Sequence, residues 1–505
     1  MMLAELIIIL MLGGVIAWLA GKWSTVVSKW IALIAVLIDS IIFILFLAQH
    51  PEVLNQLGDK EDWLIDFHRD WIPQIGASFH LALDGLSLIM VALTLFLGVV
   101  AVLASWKEIK SRVGFHYFNI LWLLAGILGV FLAMDLLLFY FFWEIMLIPM
   151  FFLLGIWGYE RRKEASLKFF LFTQISGLFM LIAILGLYFV HGLNTGEYTF
   201  NYFALLDISI SKQLGFWFMC GFLIAFLVKL PAFPFHSWLP DAHTHSPTAG
   251  SVILAGLMLK TAAYGLLRFV VPIFPEASQT IAPLMMLLGV AGILYGAKLT
   301  YAQDDFKRLI AFSSVSHMGF IVIGIFSFNV LAYQGTVMQM VAHGISTSAL
   351  FVIAGAIKNR IGTRDMDKMG RFWEQMPGMG GITVVFVMAS LGLPGLANFI
   401  AEFLVLVGVF QVSILWSVLA TTGLIASMIY SLVILQKIFY GESHSKHKLK
   451  DFSIREYLIM TCFIVAIFWL GLFPQKVITT VKPVIQKIEQ QAQIKFDYVE
   501  PKTKR

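Results

Sequence analysis

The run LVKLPAFPFHSWLPDAH, residues 227–243, interrupts a stretch that is otherwise almost pure hydrocarbon. A helix that crosses a membrane needs roughly 20 mainly apolar residues, and it satisfies its backbone donors and acceptors internally. Pro231 and Pro234 each lack a backbone N–H, and each ring clashes with the carbonyl of the preceding turn. A helix that reaches Lys229 therefore has to break just beyond it. Irregular backbone at membrane depth survives only where it is buried in protein or lines a wet cavity. The stretch predicts an interrupted helix, with an ionisable residue at the break, inside a large helical bundle.

Composition extends that expectation to the whole chain. Of 505 residues, 59% are hydrophobic and 13% charged, with a mean hydropathy of +0.86. Soluble domains carry about 25% charged residues, so the fold class expected is an all-α polytopic membrane protein. The first apolar run, Leu3 to Leu19, has no basic n-region and no small-residue cleavage site, and reads as a retained span. The two cysteines, Cys220 and Cys462, fall short of the roughly four thiolates an ordinary iron–sulfur cluster needs. Neither a dinucleotide fingerprint nor a Walker A pattern occurs. No cofactor and no metal are expected in this chain. Its basic pI near 8.9 bears on membrane orientation rather than on nucleic acid.

Scanning by length and hydropathy gives about 14 transmembrane helices. Their limits fall near 3–21, 28–49, 82–105, 114–134, 136–157, 167–190, 214–236, 247–270, 279–300, 308–328, 331–357, 380–410, 414–438 and 454–473. The 380–410 stretch is too long for one straight helix, so a bend or break is expected there. Loops after odd-numbered spans hold the basic residues, among them Lys107, Lys110, Arg161, Arg162, Lys307, Arg308, Arg360, Arg364, Lys446 and Lys448. The opposite loops are nearly bare of them. The positive-inside rule places the basic loops in the cytoplasm and both termini on the periplasmic side. The lysine-rich tail, Lys476 to Arg505, opposes this and is outvoted. Within the larger outer loops, WIPQIGASFHLALDG (residues 71–85) is expected to form a short extended lid.

Four ionisable residues fall near the middle of apolar spans: Glu144, Lys229, Lys260 and Glu402. A charge at that depth costs several kcal/mol and usually marks a pathway, the plainer alternative being salt bridges that tie helices together. Burial disfavours a charged group and an opposite charge favours it, so Glu144 and Lys229 are expected to titrate as a coupled pair. Lys260 would be the next station and Glu402 a terminal donor or acceptor. Polar side chains also recur at helical spacing: Ser313, Ser316 and His317 in span ten, and Gln339, His343, Ser346 and Thr347 in span eleven. Two such stripes facing each other would hold water; each histidine alone would serve as an interhelical hydrogen bond.

The broken texture occurs twice. KLPAFPF (229–235) lies in span seven and GLPGLANF (392–399), with Pro394, in span twelve. An offset of five spans reverses orientation, so the two belong to inverted repeats, whose interrupted helices meet at an ion site near the midplane.

Taken together, FFWEIMLIPMFFLLGIWG (141–158), KLPAFPFHSWLPDAHTHSPTAGSVILAGLMLKTAAYGLLRF (229–269), QDDFKRLIAFSSVSHMGF (303–320), HGISTSALFVIAGAI (343–357) and GLPGLANFIAEF (392–403) carry a resemblance. The chain resembles, over nearly its whole length, the antiporter-like membrane subunits of respiratory complex I, a family related to Mrp-type sodium/proton antiporter subunits. The resemblance implies two inverted five-helix units, spans 4–8 and 9–13, with helices 7 and 12 broken. The organisation would be 1–112 for the first three spans, 113–271 and 272–440 for the repeats, and 441–505 for the last span and tail. Glu144, Lys229, Lys260 and Glu402 match the family's charged row, and Glu402 differs from the lysine of subunits L and N. His236, His317 and His343 match its hydrated axis. The implied function is proton translocation by a non-redox subunit of NADH:quinone oxidoreductase in the bacterial inner membrane. FMN and iron–sulfur clusters would sit in partner subunits, and L, N and the lipid bilayer would be its neighbours. NADH and quinone would be used by the whole complex. The alternatives are an Mrp-type cation/proton antiporter subunit and a structural or quinone-docking scaffold.

Overall fold

The computed structural model describes residues 1–51, 63–440 and 449–494. Lys446, Lys448 and the end of the tail beyond residue 494 lie outside the described residues. Among the described residues, 13 helices are long and apolar enough to cross a membrane. Two shorter apolar helices, Pro377–Ser390 and Ala397–Val412, make a further crossing in two pieces. The all-α polytopic fold expected from composition is thus present.

Short polar residues set the span boundaries, because the first turn of a helix leaves backbone N–H groups without partners. Asp84 and Ser87 form a capping box at the start of the third span, Gly85–Ser105. Asp135 accepts from the N–H groups of Leu137 and Leu138 at the start of the fifth, Leu136–Trp157. Asp305 caps the tenth, Phe306–Ile325, and Asn329 the eleventh, Val330–Ile361. The eighth span, Thr248–Ile273, is buried throughout and the eleventh is buried except at its two ends, and the other spans pack around them. The second and last spans, Thr25–Gln49 and Ile454–Leu472, leave most of their apolar surface uncovered by protein.

Both breaks fall where proline removes a donor. The seventh span, Lys212–Lys229, ends seven residues before the expected limit at 236 and resumes as Trp238–His245. The carbonyl of Leu227, which would bond to residue 231 in an unbroken helix, accepts instead from the N–H of Ala232 at 2.9 Å. The Val228 carbonyl accepts the indole N–H of Trp238 at 2.8 Å, so the second piece of the helix satisfies the first. In the twelfth span the chain turns at Gly392 (φ 83°) and Gly395 (φ 95°) on either side of Pro394. Two wide turns, Leu254–Met258 and Leu266–Val270, flank Lys260 in the eighth span. Such turns cluster at functional sites, and the sequence reading did not anticipate them.

The expected lid is a two-stranded antiparallel hairpin, β1 (Ile65–Ile72) and β2 (Ala77–Leu83). The Asp135 carboxylate fastens it by accepting from the N–H and hydroxyl of Ser78 at 2.9 and 3.1 Å. The described part of the tail is a helix, Gln475–Ile494, that buries Val477, Val481, Val484, Ile485 and Ile488 along one face. This helix packs beside Trp63, Asp84 and Arg268, at the end of the bundle that carries the hairpin. Its lysines sit there because the helix lies against the bundle rather than in a free loop.

Candidate functional site

Two polar groups lie inside the bundle, with Lys229 buried and Glu144 half-buried in the first. The first is built on the seventh-span break. Lys229 is the last residue of the first helical piece and is 1% exposed, and its ammonium has no hydrogen-bond partner. Nζ lies 3.7 Å from the centroid of the Trp143 ring, within cation–π range. Glu144 follows Trp143 at the point where the fifth span is interrupted, Leu136–Ile145 giving way to Leu147–Trp157. Its Oε1 also lacks a hydrogen-bond partner, so the carboxylate and the lysine interact through space and not by contact. Tyr140 and Gln174 are its polar neighbours. Gly177 in the sixth span leaves room for the carboxylate, since a Cβ at that position would stand 3.0 Å from Oε1.

The second group is continuous. Lys260 Nζ lies 2.7 Å from His343 Nδ1, and it also donates to the carbonyl of Ala255. The rings of His343 and His317 are 5.3 Å apart, edge to face. His317 Nδ1 is 3.0 Å from Glu402 Oε1, and its Nε2 is 3.3 Å from the Ser390 hydroxyl. Gln339 donates to the same carboxylate oxygen at 3.4 Å. The turn of the broken twelfth span presses against Glu402, where a Cβ at Gly392 would be 3.0 Å from Oε2. Lys260, His343, His317 and Glu402 are each no more than 3% exposed. Burial strengthens such contacts and makes an unpaired member costly, so the four residues form one coupled unit. Chemically, the row sets proton-binding groups at hydrogen-bond spacing at its two ends, Lys260–His343 and His317–Glu402, joined by the edge-to-face histidine pair.

Residues 133–429 match the family model described as NADH:quinone oxidoreductase/Mrp antiporter, TM. A Pseudomonas aeruginosa protein named NADH-quinone oxidoreductase subunit M is 48% identical over 95% of this chain and 95% of its own. Its namesake in Escherichia coli K12 is 47% identical over 97% of this chain and 98% of its own. The chain belongs to the NADH-quinone oxidoreductase subunit M family. A chain of the respiratory complex I from Thermus thermophilus with bound NADH superposes with a TM-score of 0.86 at 28% identity, covering 97% of this chain and 100% of that one. A chain of the Mrp complex from Dietzia sp. DQ12-45-1b shares the fold, with a TM-score of 0.81 at 21% identity, over 97% of this chain and 52% of its own.

For this subunit M family member, the remaining residues named from sequence are distributed unevenly. His236 is buried against Phe233 and Tyr295 and joins neither polar group. Ser313 and Ser316 turn their hydroxyls to the backbone carbonyls of Ile310 and Ile293. The two polar stripes therefore meet through His317, His343 and Gln339, and not along their full length. No side-chain hydrogen bond joins Lys229 to Lys260 among the described residues.

His243, the last residue of the opening stretch, was not singled out from sequence. It is wholly buried with both ring nitrogens unpartnered, and it stacks on Phe351 at 4.5 Å. Its charged neighbours are Lys307 and Lys260. Lys307, counted among the loop charges by its position, is only 2% exposed and donates to the Ser246 carbonyl at 2.5 Å. The correction has a simple cause: Lys307 begins a helix whose end is covered by the Trp238–His245 segment and the loop beyond it. Charges buried at span ends look, in the sequence, like ordinary loop charges. Arg268, paired with Asp84 at the end of the eighth span, was missed for the same reason. No group of three or more His, Cys, Asp or Glu among the described residues is placed to hold a metal ion.

Proposed function

We propose that this chain is a proton-translocating membrane-arm subunit of an NADH:quinone oxidoreductase. The observation that carries the reading is the row Lys260–His343–His317–Glu402, hydrogen-bonded at both ends and joined by an edge-to-face histidine pair, buried among helices of membrane length. Glu144 and Lys229 act as a gate ahead of it. Because their separation governs which of them holds a proton, a movement of the fifth span relative to the seventh hands a proton toward Lys260. Water admitted at the break, residues 230–237, bridges to Lys260, and the proton passes through the two histidines to Glu402. Electron transfer from NADH to quinone takes place in other subunits, which carry the FMN and iron–sulfur clusters; this chain contributes no redox centre. Antiporter-like subunits L and N are its neighbours. The chain lies in the bacterial inner membrane, with the hairpin and both termini on the periplasmic side. On this reading the repeats are 113–271 and 272–440, flanked by 1–112 and 441–505.

Lys229→Ala tests the gate. NADH-driven acidification of inverted membrane vesicles should fall severely while the complex still assembles and oxidises NADH. Normal pumping by the assembled variant would refute the reading. Sodium extrusion in the absence of the redox subunits would assign the Mrp-type antiport reading instead.

A further inference from the structure

A groove of about 440 Å³ runs along the outside of the bundle between the second, third and fourteenth spans. Its walls are hydrocarbon, among them Leu37, Ile44, Phe96, Val100 and Leu458, with the exposed Cys462 at its side. Each wall leads to a polar residue at the same end. On the second span Lys29, Leu33, Leu37, Ser40 and Ile44 recur at three- and four-residue steps, so Lys29 heads the stripe that lines the groove. On the fourteenth, Arg455 stands one turn before Leu458. On the third, Leu103 stands one turn before Trp106, whose carbonyl accepts from Lys29 Nζ at 2.7 Å.

The cations at this end are incompletely hydrogen-bonded, although Glu456 and Glu108 lie near enough to Arg455 to favour its charge. Lys29 and Arg455 are close enough to repel each other, and Arg455 Nε and Nη1 are shielded from water with no hydrogen-bond partner. The nearby carboxylates are engaged elsewhere. Glu456 binds Arg360 at 2.8 and 3.1 Å, and Glu108 accepts from Tyr159 and from the N–H of Thr248. Guanidinium nitrogens shielded from water without an acceptor are costly, and Lys29 and Arg455 are both only partly covered by protein. Trp30 and Trp106, 5.2 Å apart and edge to face, mark this end as headgroup depth.

We infer that the groove binds one anionic phospholipid, its phosphate held by Lys29 and Arg455 and an acyl chain lying between the three spans. One molecule of this chemistry supplies both acceptors for the unpartnered Arg455 nitrogens and the hydrocarbon that an apolar groove in a membrane requires. Neither the proton row nor the redox partners enter the argument.

The test titrates the delipidated complex with phosphatidylglycerol or phosphatidylcholine and counts bound lipid by native mass spectrometry. Phosphatidylglycerol should be retained in preference. Lys29→Gln or Arg455→Gln should weaken it about fivefold each. Cys462→Trp, which fills the groove without altering charge, should displace it. A phosphatidylglycerol with a photoactivatable acyl chain should label the peptide that contains Leu458 and Cys462. Both substitution types leave the proton row untouched, so NADH-driven pumping reports that the variants assemble. Equal binding of the two lipids, unchanged retention in the charge variants, or a cross-link at Cys462 to another polypeptide in place of lipid would overturn the inference.

Discussion

Glu402 receives two side-chain donors on a single carboxylate oxygen, His317 and Gln339, in a place with almost no water. Its replacement by glutamine keeps the shape and removes the proton-binding group. General acid–base groups are worth about 100-fold or more in rate, so Glu402→Gln should cut pumping at least about tenfold in the assembled complex, measured as proton flux per NADH oxidised. Gly177 offers a finer probe. A methyl group at that position would stand 3.0 Å from Glu144 Oε1 and push the carboxylate aside without removing it. Gly177→Ala should therefore lower pumping by about half while leaving the amount of complex unchanged; equal pumping would show that the Glu144 position does not matter. At this scale sequence singles out charges that stand alone in hydrocarbon, Glu144, Lys229, Lys260 and Glu402, and the last three are buried. It was blind to His243, whose burial depends on Phe351 more than a hundred positions away in the chain.

The seventh span shows how a break becomes a device. Pro231 removes one donor, the backbone turns away, and the Trp238 indole takes over the carbonyl of Val228. Trp238→Phe would leave that buried carbonyl unsatisfied, at a cost of about 1–3 kcal/mol, and loosen the joint without deleting any titratable group. The expected outcome is a lower thermal midpoint of the purified complex with the pumping stoichiometry retained. The prolines made this element readable from sequence, because a missing N–H is a local fact. The wide turns around Lys260 were not readable. Gly256 in the first turn and Gly265 just before the second are equally compatible with an ordinary helix, and packing of the fully buried eighth span selects the wide register.

Over the whole molecule, one end of the bundle is covered by the hairpin and the helix Gln475–Ile494, which packs five aliphatic side chains onto the bundle. Truncation after Phe473 would retain every span and strip away that cover. Insertion should continue while the yield of assembled complex, read on native gels, falls severalfold. Normal assembly would assign the helix no structural role. The sequence by itself determined the class of fold, the sites of both interruptions and the presence of charged residues inside apolar spans. These follow from local physics: an apolar run long enough to span, a proline with no N–H, a charge without water. Tertiary structure alone decided that Lys260, His343, His317 and Glu402 touch, while Glu144 and Lys229 stand apart and His236 belongs to an aromatic cluster. Those outcomes depend on which helix faces meet and at what height, and helix faces are chosen by packing between segments far apart in the chain.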